Sequence, residues 1–452
     1  MTTEHGLDKT LSTLDTLALA FGAMIGWSWV ALMGDILAKG GSIGAVIGTL
    51  IIGVVILVIG FIYAELASAM PSVGGEHVYA KRALGVNGGF ICTWAIIFVY
   101  VAVCAFEAVA LPSVMQNLFP NLGSNPVYSV AGSQVSMDMV LIGSGASLVI
   151  MGLNIIGVRM AAFIQTIVVG VILLAGAMLI VGIGQVGQIQ NMQPLFVNGG
   201  IGILATMAIM PFLMTGFDVI PQTAEEINLP PRKIGILLVS SIAFAISWYV
   251  LIELSVALIL TPEARAEAPI TTVQAAKQAF GDSAASMVLI AGIAGILTSW
   301  NGFMIGGSRA IFAMANDGML PKWFAKVHPK YNTPVNALLF IGVLVTLAPF
   351  LGKRALIWFV DGGSFSLMIA YALVCLSFVK LRINEPDMPR PFKVKGGVGL
   401  GYFGFIAATI IGSFYLPNMP AALVWQEWLL VIAWFLFGYI CYLTMPRRKV
   451  YR

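Results

Sequence analysis

Twelve long apolar runs, joined by short polar connections, constrain what this chain of 452 residues can become. They lie near 15–37, 43–68, 88–116, 139–156, 160–183, 200–224, 234–260, 284–315, 334–351, 356–379, 401–416 and 426–445. About 20 apolar residues in a helix cross the hydrocarbon of a bilayer. In that solvent every backbone N–H and C=O must find a partner inside the protein, which leaves helices for segments of this length. The expected class is therefore all-α integral membrane, with twelve transmembrane helices. Charge agrees: 10% of residues are charged, where soluble domains carry about 25%. Water cannot be the solvent for most of these side chains, which excludes a soluble enzyme. A net charge of +4 gives no footing for nucleic acid.

The basic residues test the count. With a cytoplasmic N-terminus, nineteen of the 24 Lys and Arg fall on the cytoplasmic side. They include Lys81, Arg82, Arg159, Arg232, Lys322, Arg382 and the terminal Arg447, Arg448, Lys449 and Arg452. Only Lys39, Arg265, Lys277, Lys353 and Arg354 fall outside. This is the positive-inside asymmetry. It predicts a multi-pass protein of the plasma membrane with both termini cytoplasmic. The first run is followed by further runs, so it reads as a retained helix and not as a cleaved signal. Cys92, Cys104, Cys375 and Cys441 all sit in apolar runs, where cysteine behaves as a small buried hydrophobe. The three histidines, His5, His77 and His328, lie outside the runs and have no metal-ligand spacing.

Two runs carry helix breakers at mid-span. The first contains Gly22-Ala-Met-Ile-Gly26; the sixth contains Pro211, Thr215, Gly216 and Pro221. Backbone groups freed there are tolerated in a membrane only where they line a cavity. If spans 1–5 and 6–10 form two halves, the breaks occupy matching positions, which points to a midplane binding site. The bland alternative is that the glycines only let helices approach closely.

Several segments carry a resemblance. They are Ala64-Glu-Leu-Ala67 with Pro71-Ser-Val-Gly-Gly75 and Tyr79; Ala224-Glu-Glu-Ile-Asn-Leu-Pro230 with Arg232; and Ser308-Arg-Ala-Ile-Phe-Ala-Met-Ala-Asn-Asp-Gly-Met-Leu-Pro321, followed by His328-Pro329 and Thr333-Pro334. In this order, between these spans, the chain resembles the amino acid–polyamine–organocation superfamily over nearly its whole length. The resemblance implies a leucine-transporter-like fold: a single transmembrane domain with a 5+5 inverted repeat (15–183 and 200–379) and two peripheral helices (401–445). It implies alternating access around a site between helices 1, 3, 6, 8 and 10, with amino acids or amines as substrates.

The residues expected to bind substrate are Ala23, Met24, Ile25, Gly26, Trp27 and Ser28 in span 1 and Phe212, Thr215, Gly216 and Asp218 in span 6. N–H groups opening a half-helix suit a carboxylate; C=O groups closing one suit an ammonium. The family's loop reads roughly Gly-x-x-x-Gly-Ser/Thr-Gly. Here Trp27 holds the place of the small hydroxyl residue and Ser28 that of the last glycine, so Trp27 crowds the carboxylate cradle. Trp27 or Trp29 then faces an organic cation or packs between helices. By the resemblance, Phe212 is an aromatic gate. Asp218, an intramembrane acid, is expected to meet substrate or carry a proton, or else to cap the break. Glu107 is a second coupling candidate, Glu253 an interhelical pairing group and Glu65 a gate or packing residue. Thr298 and Ser299 resemble the hydroxyls of a Na⁺ site, against ordinary hydroxyl-to-backbone bonding. Asn301, Ser364 and Ser366 are expected along the pathway. Arg309, Asp317 and Lys322 read as a cytoplasmic latch or a solvated face. The helix 5 stretch from Gln165 to Leu174 contains no Lys, which removes a lysine-based proton mechanism.

The chain is expected to be a secondary transporter for a small amino acid, driven by Na⁺ or H⁺. The alternatives are a permease for an amine without a carboxylate, such as ethanolamine or a polyamine, and an exchanger. No other cofactor is expected. Partners are the small solute and the lipid bilayer; oligomeric state stays open. An intramembrane enzyme lacks a His, Cys or Asp dyad in the spans, and a channel lacks a filter-like repeat.

Overall fold

A computed structural model of the chain describes residues 9–419 and 421–443. His5 and the basic residues Arg447, Arg448, Lys449 and Arg452 lie outside the described residues. So does Met445, the expected end of the last span. The described elements are helices apart from one hairpin. In chain order they are α1 (Thr13–Met24), α2 (Ser28–Ala31), α3 (Met33–Gly40), α4 (Ser42–Ala69), α5 (Glu76–Met115), α6 (Met137–Ile156), α7 (Val158–Val186), α8 (Gly200–Leu213), α9 (Val219–Gln222), α10 (Pro231–Ile259), α11 (Pro262–Glu267), α12 (Thr271–Phe280), α13 (Asp282–Asn316), α14 (Val335–Leu347), α15 (Ala355–Asn384), α16 (Gly397–Ser413) and α17 (Trp425–Leu443).

Among the described residues, eight helices are long and apolar enough to cross a membrane. Four further apolar helices are shorter: Thr13–Met24, Gly200–Leu213, Val335–Leu351 and Gly397–Ser413. The first two are short because the expected breaks cut them. Large apolar side chains such as Leu141, Leu174, Phe244 and Leu429 stand exposed on the outside of the bundle. Lipid is the solvent that suits them. Inside, glycines let helices meet: a Cβ on Gly53 of α4 would press on Ile246 of α10 at 3.0 Å.

Local chemistry sets the ends. Ser12 and Asp15 form a reciprocal capping box at the start of α1. The third apolar helix begins at Glu76, earlier than the expected 88. Its first turns are polar and join the apolar part through a kink at Gly85, where φ is +78°. A hairpin of β1 (Pro126–Val130) and β2 (Ser133–Ser136) turns at Ala131 and Gly132, both at positive φ. Its tip is held by Arg354, which donates to the Ala131 carbonyl at 2.6 Å.

The bundle has two distinct ends. At the first, here termed the basic end, ion pairs bind helices together. Glu65 takes Arg382 and Arg390, Glu385 takes Arg82, and Asp317 takes His77 and Lys81. Arg309 is neither solvated nor in a loop: it is buried in α13 and forks onto buried Glu226 at 2.8 and 3.1 Å. Lys322 stays exposed. The opposite end opens into a vestibule of about 840 Å³ between α2, α3, α5, α8 and α15, bordered by Lys39, Lys353 and Arg354.

Candidate substrate site

Both breaks exist, displaced slightly from the expected positions. In span 1 the backbone stays helical through Gly22, Ala23 and Met24 and departs over Ile25–Trp27, with a one-residue bend further on at Leu32. Gly22 therefore serves close approach and not bending: a Cβ there would meet Gln165 Nε2 at 2.7 Å and Thr298 Cβ at 3.2 Å. In span 6 the break runs from Met214 to Asp218, between α8 and α9. Pro211 and Pro221 stay inside the flanking helices. Gly216 has φ +125°, and a Cβ on it would lie 2.8 Å from both Ala23 C and Met24 N. The second break thus packs directly on the backbone that closes α1, at the edge of the first break, and only glycine fits.

A side chain that sequence reasoning missed joins them. The Tyr249 hydroxyl of α10 lies 2.9 Å from the Met24 carbonyl and 3.0 Å from the Leu213 carbonyl. These close α1 and α8, the carbonyls expected to receive an ammonium. Ser28 Oγ is 2.9 Å from the same hydroxyl. A tyrosine in an apolar run carries no signal that separates this role from packing.

Around the first break the partners come from other helices. The Glu107 carboxyl of α5, buried, faces the Trp27 backbone N–H and the Ser299 hydroxyl. Its Oε1 would lie 2.7 Å from a Cβ on Gly26, and its Oε2 has no hydrogen-bond partner. Gln165 Nε2 reaches the Ala18 and Leu19 carbonyls at 3.4 and 3.3 Å. Gln165 Oε1 accepts from Asn301 at 2.8 Å, and Asn301 Oδ1 accepts from Asn154 at 2.9 Å. This chain of three amides ties α6, α7 and α13 to α1. Thr298 lies beside Gly22, its hydroxyl donating to the Gly295 carbonyl at 3.0 Å. Trp27 borders the vestibule and lies against Gly292 of α13. Trp29 is fully buried, edge-on to Trp248 with centroids 5.4 Å apart.

The second break is held mostly from within. Asp218 accepts from the Gly216 N–H at 3.0 Å and from the Thr215 hydroxyl at 3.4 Å. Thr215 also meets the Tyr371 hydroxyl at 3.5 Å. Phe212 stands against Phe106, centroids 5.8 Å apart, and against Gly363 of α15. Ser364 bonds back to the Val360 carbonyl at 2.8 Å, while Ser366 Oγ is buried without a partner. Away from the breaks, Glu253 accepts from Thr49 at 2.6 Å between α10 and α4. Two further acids carried no sequence expectation: Asp361 on the vestibule wall and Glu76 at the start of α5.

The arrangement offers paired carbonyls, one inward carboxyl and an aromatic wall beneath an open vestibule. It suits binding of a small polar solute; among the described residues no group of three or more metal-ligating acids, histidines or cysteines occurs. Comparison with known proteins agrees. The family model described as amino acid permease matches residues 11–445. A methylthioribose transporter of Bacillus subtilis (strain 168) is 26% identical over 98% of this chain and 94% of its own length. A branched-chain amino acid permease of the same organism is 26% identical with the same coverage. A vacuolar cationic amino acid transporter of Arabidopsis thaliana is 30% identical over 85% of this chain and 65% of its own. With this match running nearly end to end, the chain belongs to the amino acid permease family of the amino acid–polyamine–organocation superfamily: a multi-pass membrane transporter of amino acids or related solutes, and not an enzyme.

Proposed function

We propose that the protein is a secondary transporter for a small amino acid, working by alternating access across the α1–α2 and α8–α9 breaks. The observation that carries this reading is their backbone contact at Gly216, with the Met24 and Leu213 carbonyls converging on Tyr249 beneath the vestibule. Freed carbonyls are partial negative charges in a low-dielectric setting and favour an ammonium group. The proposed architecture is twelve spans: two inverted five-helix repeats (15–183 and 200–379) and two peripheral helices (401–445), in one domain. The basic end is proposed to face the cytoplasm, with both termini there, and the membrane is proposed to be the plasma membrane.

A specific observation favours the second reading, an amine without a carboxylate. The place a substrate carboxylate would take, at Gly26 and the Trp27 N–H, already faces the protein's own Glu107 carboxyl. Two carboxylates side by side repel. The relatives' names cover amino acids and also a solute without a carboxylate, methylthioribose, which is not an amine.

For the driving ion, Na⁺ at Thr298 and Ser299, a proton on Asp218 or Glu107, and plain exchange are the competing proposals. Ser299 faces Glu107 and Thr298 bonds within its own helix, which supports the proton over Na⁺. Uptake into proteoliposomes of labelled leucine, arginine and ethanolamine, with Na⁺ and pH gradients imposed separately, tests all of this. Uptake of an amino acid supports the first reading and uptake of ethanolamine alone the second. Absence of uptake and of exchange for all three labels overturns both.

A further inference from the structure

Buried and half-buried acids between the second break and the basic end differ in their partners. Glu65, Glu226, Asp317 and Glu385 each hold a basic side chain. Glu76 and Asp218 hold none among the described residues, although both are fully buried. The nearby cations are already committed: Lys81 to Asp317, Arg82 to Glu385, Arg309 to Glu226, and Arg382 and Arg390 to Glu65.

Glu76 and Asp218 lie within electrostatic reach of each other. Gln222 of α9 donates its amide to Glu76 Oε2. Asp218 is bound to the α8–α9 break through Gly216 and Thr215. The Tyr63 hydroxyl of α4 lies beside Glu76, and the Tyr100 hydroxyl of α5 lies beside both Gln222 and Asp218. Yet Tyr63, Tyr79 and Tyr100 close no hydrogen bond, and Glu76 Oε1 and Gln222 Oε1 are orphaned. Tyr371 and Cys375 of α15 and Cys92 of α5 complete the titratable neighbourhood. His77, next in sequence to Glu76, turns away to Thr93 and Asp317.

Two buried carboxylates without a counter-cation are strongly disfavoured inside a membrane protein. One bound proton removes the repulsion and supplies the missing donor. Tyrosine hydroxyls both donate and accept, so they connect the two acids as a proton path. We propose that Glu76 and Asp218 share one exchangeable proton, forming the coupling site of the transporter, with Glu76 as its unassigned half. The proton binds at Asp218, which leaves fewer lone pairs for the Gly216 N–H and the Thr215 hydroxyl and so loosens the break. It then leaves the Asp218 carboxyl oxygen and is received at Glu76 Oε1, from which it departs to the basic end. Each transfer breaks one O–H bond and forms another; no other reactant is consumed.

The proposal rests on the transport reading, but its first test does not need a substrate. Infrared difference spectra of the full-length protein in lipid, titrated with H⁺ alone, report carboxylic C=O stretching. A titrating band that is lost in both Glu76→Gln and Asp218→Asn, and kept in His77→Gln, is expected. A band unchanged in Glu76→Gln, or lost in His77→Gln, overturns the assignment. Should Glu76→Gln fail to fold, Glu76→Asp is read instead: a moved midpoint supports the site and an unmoved one overturns it. The second test uses whichever of labelled leucine, arginine or ethanolamine exchanges, in Na⁺-free vesicles. Glu76→Gln should keep counterflow exchange and lose accumulation driven by a pH gradient. Retained accumulation in Glu76→Gln, or a wild type indifferent to the pH gradient, overturns the proposal. Absence of exchange in the wild type counts against the transport reading instead.

Discussion

The break between α1 and α2 and the break between α8 and α9 solve one problem in opposite ways. At the first, the freed backbone is held by other helices: Glu107 of α5 faces the Trp27 N–H and Tyr249 of α10 takes the Met24 carbonyl. At the second, Asp218 holds Gly216 and Thr215 of its own segment, and Tyr249 is the main outside partner. A segment satisfied by its neighbours changes its partners whenever those neighbours move. A segment satisfied by itself travels as a unit. The first break is thus suited to sensing what lies between helices, and the second to carrying motion.

The severest way to break this comparison is Gly216→Ala. The methyl would meet main-chain atoms of Ala23 and Met24 at a φ that disfavours side chains. Strain at such a φ is on the order of 1–3 kcal/mol before the clash is counted. Transport should be abolished in a protein that still inserts, with a lowered melting temperature; a transporting Gly216→Ala would show that the breaks need not touch.

The two acids sharpen it next. For a solute that is an amine without a carboxylate, Glu107→Gln should raise KM about tenfold, equivalent to about 1.4 kcal/mol, with kcat nearly kept. Asp218→Asn should lower kcat instead. Equal effects on both parameters in both variants would erase the proposed division between sensing and motion.

Tyr249→Phe removes the group shared by both breaks. Leaving buried carbonyls without a donor costs about 1–3 kcal/mol, and the loss should appear as a lower melting temperature together with slower exchange. An unchanged melting curve would mean that the carbonyls find other donors.

The smallest effect is expected at Asp317, outside the spans. Burial pushes its carboxyl up, but hydrogen bonds and charge from His77 and Lys81 outweigh this and hold it at about 2. A depressed carboxyl contributes stability above its ordinary value of about 4 and loses it as pH falls towards the folded value. Its contribution is therefore flat between about pH 5 and 8. Asp317→Asn should lower the melting temperature slightly and equally across that range; a decrement that varies with pH there would overturn this account.

Glycine and proline inside apolar runs gave away both breaks, because a bilayer offers free backbone groups nothing else to bond. Asp218 and Glu107 were legible for a related reason: an acid is too costly in a span to be incidental. The sites that stayed hidden depend on partners remote in sequence. Tyr249 reads as packing until the Met24 and Leu213 carbonyls are placed beside it. Gln165 gave an absence, the missing lysine, but not its bond to α1. Glu76 carried no expectation, because its helix starts with polar turns before the kink at Gly85. Arg309 could be read only as a latch or a solvated face, because its partner, Glu226, lies in another connection. The helices α11 and α12 and the hairpin are too short and too polar on average to compete with the long apolar runs around them.

The segment entering α1 has one further consequence. Thr10 and Leu11 donate their N–H groups to the Glu226 carbonyl, Leu11 forms a strand-like bridge with Ile227, and the Asn228 N–H returns to Leu11. The lead-in to one discontinuous helix is therefore stitched to the exit of the other. Any swing that uncovers the basic end must drag both together, like two oars lashed at the handle. A deletion that stops short of Thr10 should leave this lashing whole, whereas one that takes Leu11 would let each oar move alone.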